Sequence, residues 1–179
     1  IHRTKATNFF ALYDKDQSKI PHAGFAAGAD KSLKGRISRF VRGNFFIPDP
    51  RRGWNRYAFR KACALIREEN IRFIITTSPP HSTQLIGRRL KRRFPAIRWV
   101  ADLRDPWTDI YYYDMFNPSF IARMADNAME KSVLAKSDAV MTVGQTLASI
   151  LERKVDTVRE KIFILPNGYD EEDFEGIVP

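Results

Sequence analysis

The sequence predicts an α/β fold in which a parallel β-sheet carries helices on both faces. Three observations predict it. Short apolar, β-branched runs recur at residues 73–77, 97–101, 138–143 and 161–165. Longer segments with apolar residues at helical spacing separate them. The first two runs end in compact polar loops, Ser78-Pro79-Pro80-His81-Ser82 and Asp102-Leu103-Arg104-Asp105-Pro106-Trp107. Strands alternating with helices in this way make a Rossmann-like sheet, and such strands are expected to be buried on both faces. Two parallel strands joined by a helix place both polar loops at the carboxyl edge of the sheet, where open α/β sheets bind ligands.

Each element has a local reason. Residues 1–33 carry little pattern: 9–13 is apolar, and 14–32, rich in Gly, Ala, Lys and Asp, reads as loop. Residues 34–46 read as a short amphipathic helix with Ile37, Phe40 and Val41 set among Lys34, Arg36, Arg39 and Arg42. Such a segment either packs on its own domain or lies on an anionic membrane surface. Asp49 is an N-cap and Pro50 a first helical residue. The helix that follows shows one face through Trp54, Tyr57, Ala58, Lys61, Ala62, Leu65 and Ile66, and ends at Asn70. Cys63 sits on that face as a core residue. The next helix spans 83–94 before Pro95, with Leu85, Ile86 and Leu90 buried and Arg88, Arg89, Lys91, Arg92 and Arg93 around them. Asn117-Pro118-Ser119 starts another helix, whose stripe is Phe120, Ile121, Met124, Ala128, Met129 and Val133. The last helix runs over 147–154.

Composition bounds the rest. The 179 residues, 44% of them hydrophobic, suffice for one domain with a real core. The expected organisation is a basic, irregular lead-in over 1–46, the sheet domain over 47–170 and a linker from 171 to 179. No apolar run reaches transmembrane length, and the N-terminus, which lacks Met, is no signal peptide. The chain reads as a piece of something longer. A single cysteine fits the cytoplasm. The net charge of +9 points to an anionic partner: a phosphorylated ligand, a membrane surface or nucleic acid. Nucleic acid is not expected, because no recognised binding motif occurs.

Chemistry-bearing residues gather in the two loops. The prolines at 79 and 80 pin the backbone in an extended form, and the amides near Ser82 and Thr83 at the following helix start could hold an anion, with His81 and Ser82 adding donors. The alternative is a rigid turn with Ser82 as cap. Arg104 could grip a phosphate or carboxylate at two points, with Asp102 or Asp105 orienting a sugar hydroxyl. Alternatively an internal Asp–Arg pair holds the loop. Trp107, Tyr111, Tyr112 and Tyr113 could wall a sugar ring or cover their own core. No metal site is expected, since the three histidines are scattered and lack cysteine partners. No Ser-His-Asp triad is credible, and no G-x-G-x-x-G or Walker motif occurs.

At these residues the chain resembles a known family. The runs TTSPPHSTQLIGRRLKRRF, WVADLRDPWTD, DNAMEKSVLAKSDAVMTVG and ILPNGYDEEDF together resemble the N-terminal domain of family 4 glycosyltransferases, retaining two-domain enzymes of GT-B fold. The resemblance covers about residues 45–174. It implies a nucleotide-diphosphate sugar as donor substrate, with no further cofactor. The donor would be held mainly by a C-terminal domain absent here, and this half would hold a polysaccharide or lipid-linked glycan acceptor. It places Asn167 and Gly168 at the crossing between domains, and a first strand and glycine-rich loop before Ile1. Many relatives carry a histidine after the strand that here runs into Asp102-Leu103-Arg104-Asp105. The resulting expectation is a transferase fragment, inactive alone, with Asp102, Arg104 and Asp105 at the chemistry and Ser78, His81, Ser82, Thr83, Trp107, Tyr111, Asn167 and Gly168 contacting substrate. It would be cytoplasmic, in peripheral contact with an anionic membrane, and able to self-associate through the edge left by the missing strand. The alternative is a non-catalytic Rossmann-like module that binds anionic membrane or nucleic acid.

Overall fold

A computed structural model describes residues 1–7, 33–168 and 170. The readings over 9–13 and 14–32, residue Tyr169 and the tail from 171 lie outside the described residues. Among the described residues five α-helices and four strands are ordered α1 (Leu33–Phe45), α2 (Asn55–Glu68), β1 (Phe73–Ser78), α3 (Ser82–Arg93), β2 (Arg98–Leu103), α4 (Phe120–Lys136), β3 (Ala139–Thr142), α5 (Gln145–Glu152) and β4 (Ile162–Ile164). The strands form one parallel sheet in the order β1-β2-β3-β4. This is the Rossmann-like α/β architecture read from the sequence.

Local chemistry explains the boundaries. Asn70 and Asn117 take left-handed backbone (φ 49° and 44°), a region asparagine tolerates better than most residues, and each closes a helical segment. Ser119 caps α4 by accepting from the Ala122 amide at 3.3 Å. Asp49 caps the 3-10 segment Pro50–Trp54 that leads into α2, accepting from the Arg51 amide at 2.9 Å.

The layering follows from the strand order. A chain that always steps the same way across a parallel sheet, with crossovers of one hand, places its crossover helices on one face. Accordingly, Trp99, Ala101, Leu103 and Val140 on one face pack with Val133 and Leu134 of α4 and Leu147 and Leu151 of α5. α3 lies on the same face: a Cβ at Gly87 would stand 2.3 Å from the Trp99 indole nitrogen, so only glycine permits this approach. α2 packs outside α3 through Cys63, Ile66, Ile86 and Leu90, and the free thiol of Cys63 is buried as expected. The opposite face, where helices were also expected, carries none of the described crossover helices, and it departs from the double burial expected of the strands. Phe73 is 72% exposed and Ile75 63% exposed, and Phe163 is exposed as well.

A polar network is built into the covered face. The Trp99 indole donates to the Thr76 hydroxyl at 2.8 Å, which donates to Gln84 Oε1 at 2.6 Å. Gln84 Nε2 in turn serves the carbonyls of Thr76 (2.9 Å) and Asp102 (2.7 Å). These partners satisfy the fully buried amide, which would otherwise oppose folding.

α4 corrects the sequence reading. Phe120, Ile121 and Met124, read as its buried stripe, are exposed, whereas Ala122, Asp126, Glu130, Val133 and Leu134 are buried. On α1, for which both packing and a surface role were open, Leu33, Ile37 and Phe40 are exposed. No described helix is long and apolar enough to cross a membrane.

Candidate functional site

The loops after β1 and β2 meet at the carboxyl edge. The Arg104 amide donates to the Ser78 carbonyl at 3.2 Å, which extends the ladder by one step and ties the two loops together. The His81 ring stacks on Trp107, with centroids 5.0 Å apart and planes 10° apart. Burial draws the His81 pKa down to about 4, against the smaller effect of a hydrogen bond to the Pro106 backbone, so the ring is neutral at pH 7. Its Nδ1 is buried without a hydrogen-bond partner.

Several expected ligand contacts are already made within the chain. The Ser82 amide, expected to greet an anionic ligand, donates to Asp49 Oδ2 at 2.7 Å, and the Ser82 hydroxyl donates to Asp49 Oδ1 at 2.9 Å. A carboxylate on a helix N-terminus is favourable, so the chain supplies its own anion to α3. The Thr83 amide closes a turn on the Pro80 carbonyl at 3.1 Å. The peptide bonds into Pro79 and Pro80 are cis, in place of the extended run expected. Ser78 is fully buried, and its hydroxyl donates to the Asp102 carbonyl at 3.2 Å, so it joins strands instead of lining a surface. Trp107 is also core, with its indole donating to Asp126 Oδ1 at 2.7 Å. Its large apolar ring is worth more beneath the loop than on it.

What remains at the edge is a smaller set. The Arg104 side chain is 40% exposed, and its Nε lies 3.3 Å from Asp102 Oδ2, whose own side chain is almost wholly buried. The contact is an ion pair without a hydrogen bond, since the buried Nε has no hydrogen-bond partner, and it leaves part of the guanidinium in water. Asp105 and Thr83 are half-buried, Tyr111 is exposed, and Asn167 and Gly168 are exposed after β4. Tyr111 stands edge-on to Tyr112 at 5.0 Å.

Behind the loop lies a cluster that the sequence reading missed. Asp126 accepts from Trp107 and, at 2.9 Å, from the Tyr113 hydroxyl, and burial raises its pKa to about 6. Burial and the neighbouring Asp126 carboxylate push the Tyr113 hydroxyl up as well. Glu130 is fully buried and accepts from Thr108 Oγ1 at 2.6 Å and Lys154 Nζ at 2.7 Å. Lys154 also pairs with Asp109. The signal in the sequence was two acids four residues apart, interleaved with Ala122 and Val133 on one helical face. A buried charge there calls for partners, and the loop and the end of α5 supply them.

Among the described residues no group of His, Cys, Asp and Glu is arranged to hold a metal ion. No curated protein and no solved structure matches the chain significantly. A family model described as Glycosyltransferase Family 4 matches residues 20–173. That span takes in the whole sheet, both edge loops and every helix described above, and the chain therefore belongs to glycosyltransferase family 4.

Proposed function

We propose that this chain is the acceptor-side half of a retaining glycosyltransferase that moves a hexosyl group from a nucleotide-diphosphate sugar to a glycan or lipid-linked acceptor. The reading rests on family membership and on one observation, the half-exposed Arg104 at the carboxyl edge, paired with Asp102 and tied through its amide to Ser78. In this reading the guanidinium faces the leaving diphosphate as negative charge develops, where a preorganised cation lowers the barrier most. Asp102 is a positioning residue that holds Arg104. Asp105, Thr83 and Tyr111 contact the acceptor, and neutral His81 supports the loop on Trp107. Asn167 and Gly168 lead toward the donor-binding half. A lipid-linked acceptor would bring the enzyme to the cytoplasmic face of a membrane.

The test uses the enzyme that carries this chain together with its donor-binding half. It is incubated with a panel of nucleotide-diphosphate sugars, with and without lipid-linked acceptors, and release of the nucleotide diphosphate is followed. Release from one donor, lost in Arg104→Ala, is the expected result. No release from any donor would leave a non-catalytic binding module as the better reading. Unchanged turnover in a folded Arg104→Ala variant would remove Arg104 from the site.

A further inference from the structure

α1 carries its apolar residues outward. Leu33, Ile37 and Phe40 fall at helical spacing, and all three are exposed. Asn44, next along the same stripe, accepts from the Ser119 amide at 2.7 Å and donates to the Asn117 carbonyl at 3.1 Å. The stripe therefore runs directly into the start of α4. There Phe120 is 76% exposed and Ile121 78% exposed, with Met124 exposed one turn on. Two helices tied to each other by Asn44 thus both leave large apolar side chains in water, which isolated proteins rarely do over an extended area unless a partner covers it.

The charge around it identifies the partner. The α1 segment LKGRISRFVRGNF holds one lysine, three arginines and no acid. Arg36 is exposed beside the stripe, and Arg42 lies 4.4 Å over the Phe116 ring, which fixes that end of α1 on the domain. On the α4 part of the surface Arg123 is already paired with Asp114 at 2.7 Å, so the positive field comes chiefly from α1. Apolar side chains on one helical face with basic residues beside them suit a bilayer surface, where the former enter the acyl boundary and the latter meet anionic headgroups. Leu33, Ile37, Ile121 and Met124 are not aromatic, and Phe40 and Phe120 are two isolated rings among them, so the surface lacks the run of stacking platforms that single-stranded nucleic acid uses.

We propose that the face formed by α1 and the start of α4 docks this protein on an anionic phospholipid membrane. The inference stands on this surface alone and does not require the transferase reading. Flotation of the protein with phosphatidylcholine vesicles, with and without phosphatidylglycerol, tests it without any sugar donor. Binding is expected only with phosphatidylglycerol and should weaken steeply with salt. Two variants, Ile37→Asp with Phe40→Asp and Phe120→Asp with Ile121→Asp, should each lower the partition coefficient at least about tenfold. Arg36→Glu should weaken binding to the anionic vesicles. The substituted residues are exposed, so circular dichroism and thermal melting should stay unchanged. Absence of flotation with anionic vesicles, or equal flotation of folded variants, would overturn the proposal. A dimer seen by sedimentation and dissolved by the same substitutions would also overturn it, assigning the face to a second copy.

Discussion

His81 and Asp126 are displaced in opposite directions from their ordinary titration ranges, and Trp107 touches both. Folding lowers the His81 pKa from 6.5 to about 4, so the unfolded chain binds the extra proton between those values. Its contribution to stability therefore rises with pH across that window and is lost as pH falls through it. Asp126 runs the other way: its pKa rises from 3.8 to about 6, so its contribution falls as pH rises between them. The two oppose each other between about pH 4 and 6. In urea unfolding across that range, Asp126→Asn should gain stability with rising pH relative to the unsubstituted protein, and His81→Gln should lose it. Each slope is bounded by about 1.4 kcal/mol per pH unit. Parallel profiles for all three proteins would refute the assignment. At Arg104 the expectation concerns rate: Arg104→Ala should lower turnover of the two-domain enzyme at least about tenfold, or about 1.4 kcal/mol of barrier. Steady-state release of the nucleotide diphosphate measures it.

The loop between β2 and α4 is held at the scale of elements. Lys154, just past α5, bonds to Glu130 of α4 and to Thr108 and Asp109 of the loop. Lys154→Met would leave the buried Glu130 carboxylate without its cation, which typically costs about 3–5 kcal/mol. Adding Glu130→Gln should restore much of that loss, because no buried charge then remains. Chemical denaturation of the single and double variants decides the matter. Equal stability of Lys154→Met and the unsubstituted protein would show that the cluster does not hold the loop. At this scale the sequence was legible where one residue type has one use. Asn70, Ser119 and Asp49 mark ends correctly because caps and left-handed residues are local. It was less legible on α4, where apolar spacing pointed to Phe120, Ile121 and Met124 while Asp126 and Glu130 took the buried side. Spacing cannot reveal that Trp107, Tyr113, Thr108 and Lys154 stand ready to satisfy two acids.

Across the whole molecule, one-way strand order decides the layering. The described crossover helices occupy one face of the sheet, and Phe73, Ile75 and Phe163 stand on the other. Phe73→Thr and Ile75→Thr, which keep β propensity, should each move the unfolding free energy by no more than about 0.5 kcal/mol. Were these side chains covered by core, each loss would cost at least about 2 kcal/mol. Urea midpoints of the two variants separate the cases.

The sequence by itself determined the class of fold, the order of its elements, the place of the two loops on one edge, and membership of a family matched over residues 20–173. These depend on periodicity, caps and breakers, which act within a few residues. Tertiary structure decided which expected site residues have work inside the protein. Ser78 and Trp107 are core, and Ser82 is bonded to Asp49, 33 positions earlier in the chain. It also left Arg104 half in water and turned Leu33, Ile37 and Phe40 of α1 and Phe120, Ile121 and Met124 at the start of α4 outward. Those outcomes depend on contacts between residues distant in sequence, where a polar group's free energy is set by whether a partner or water meets it.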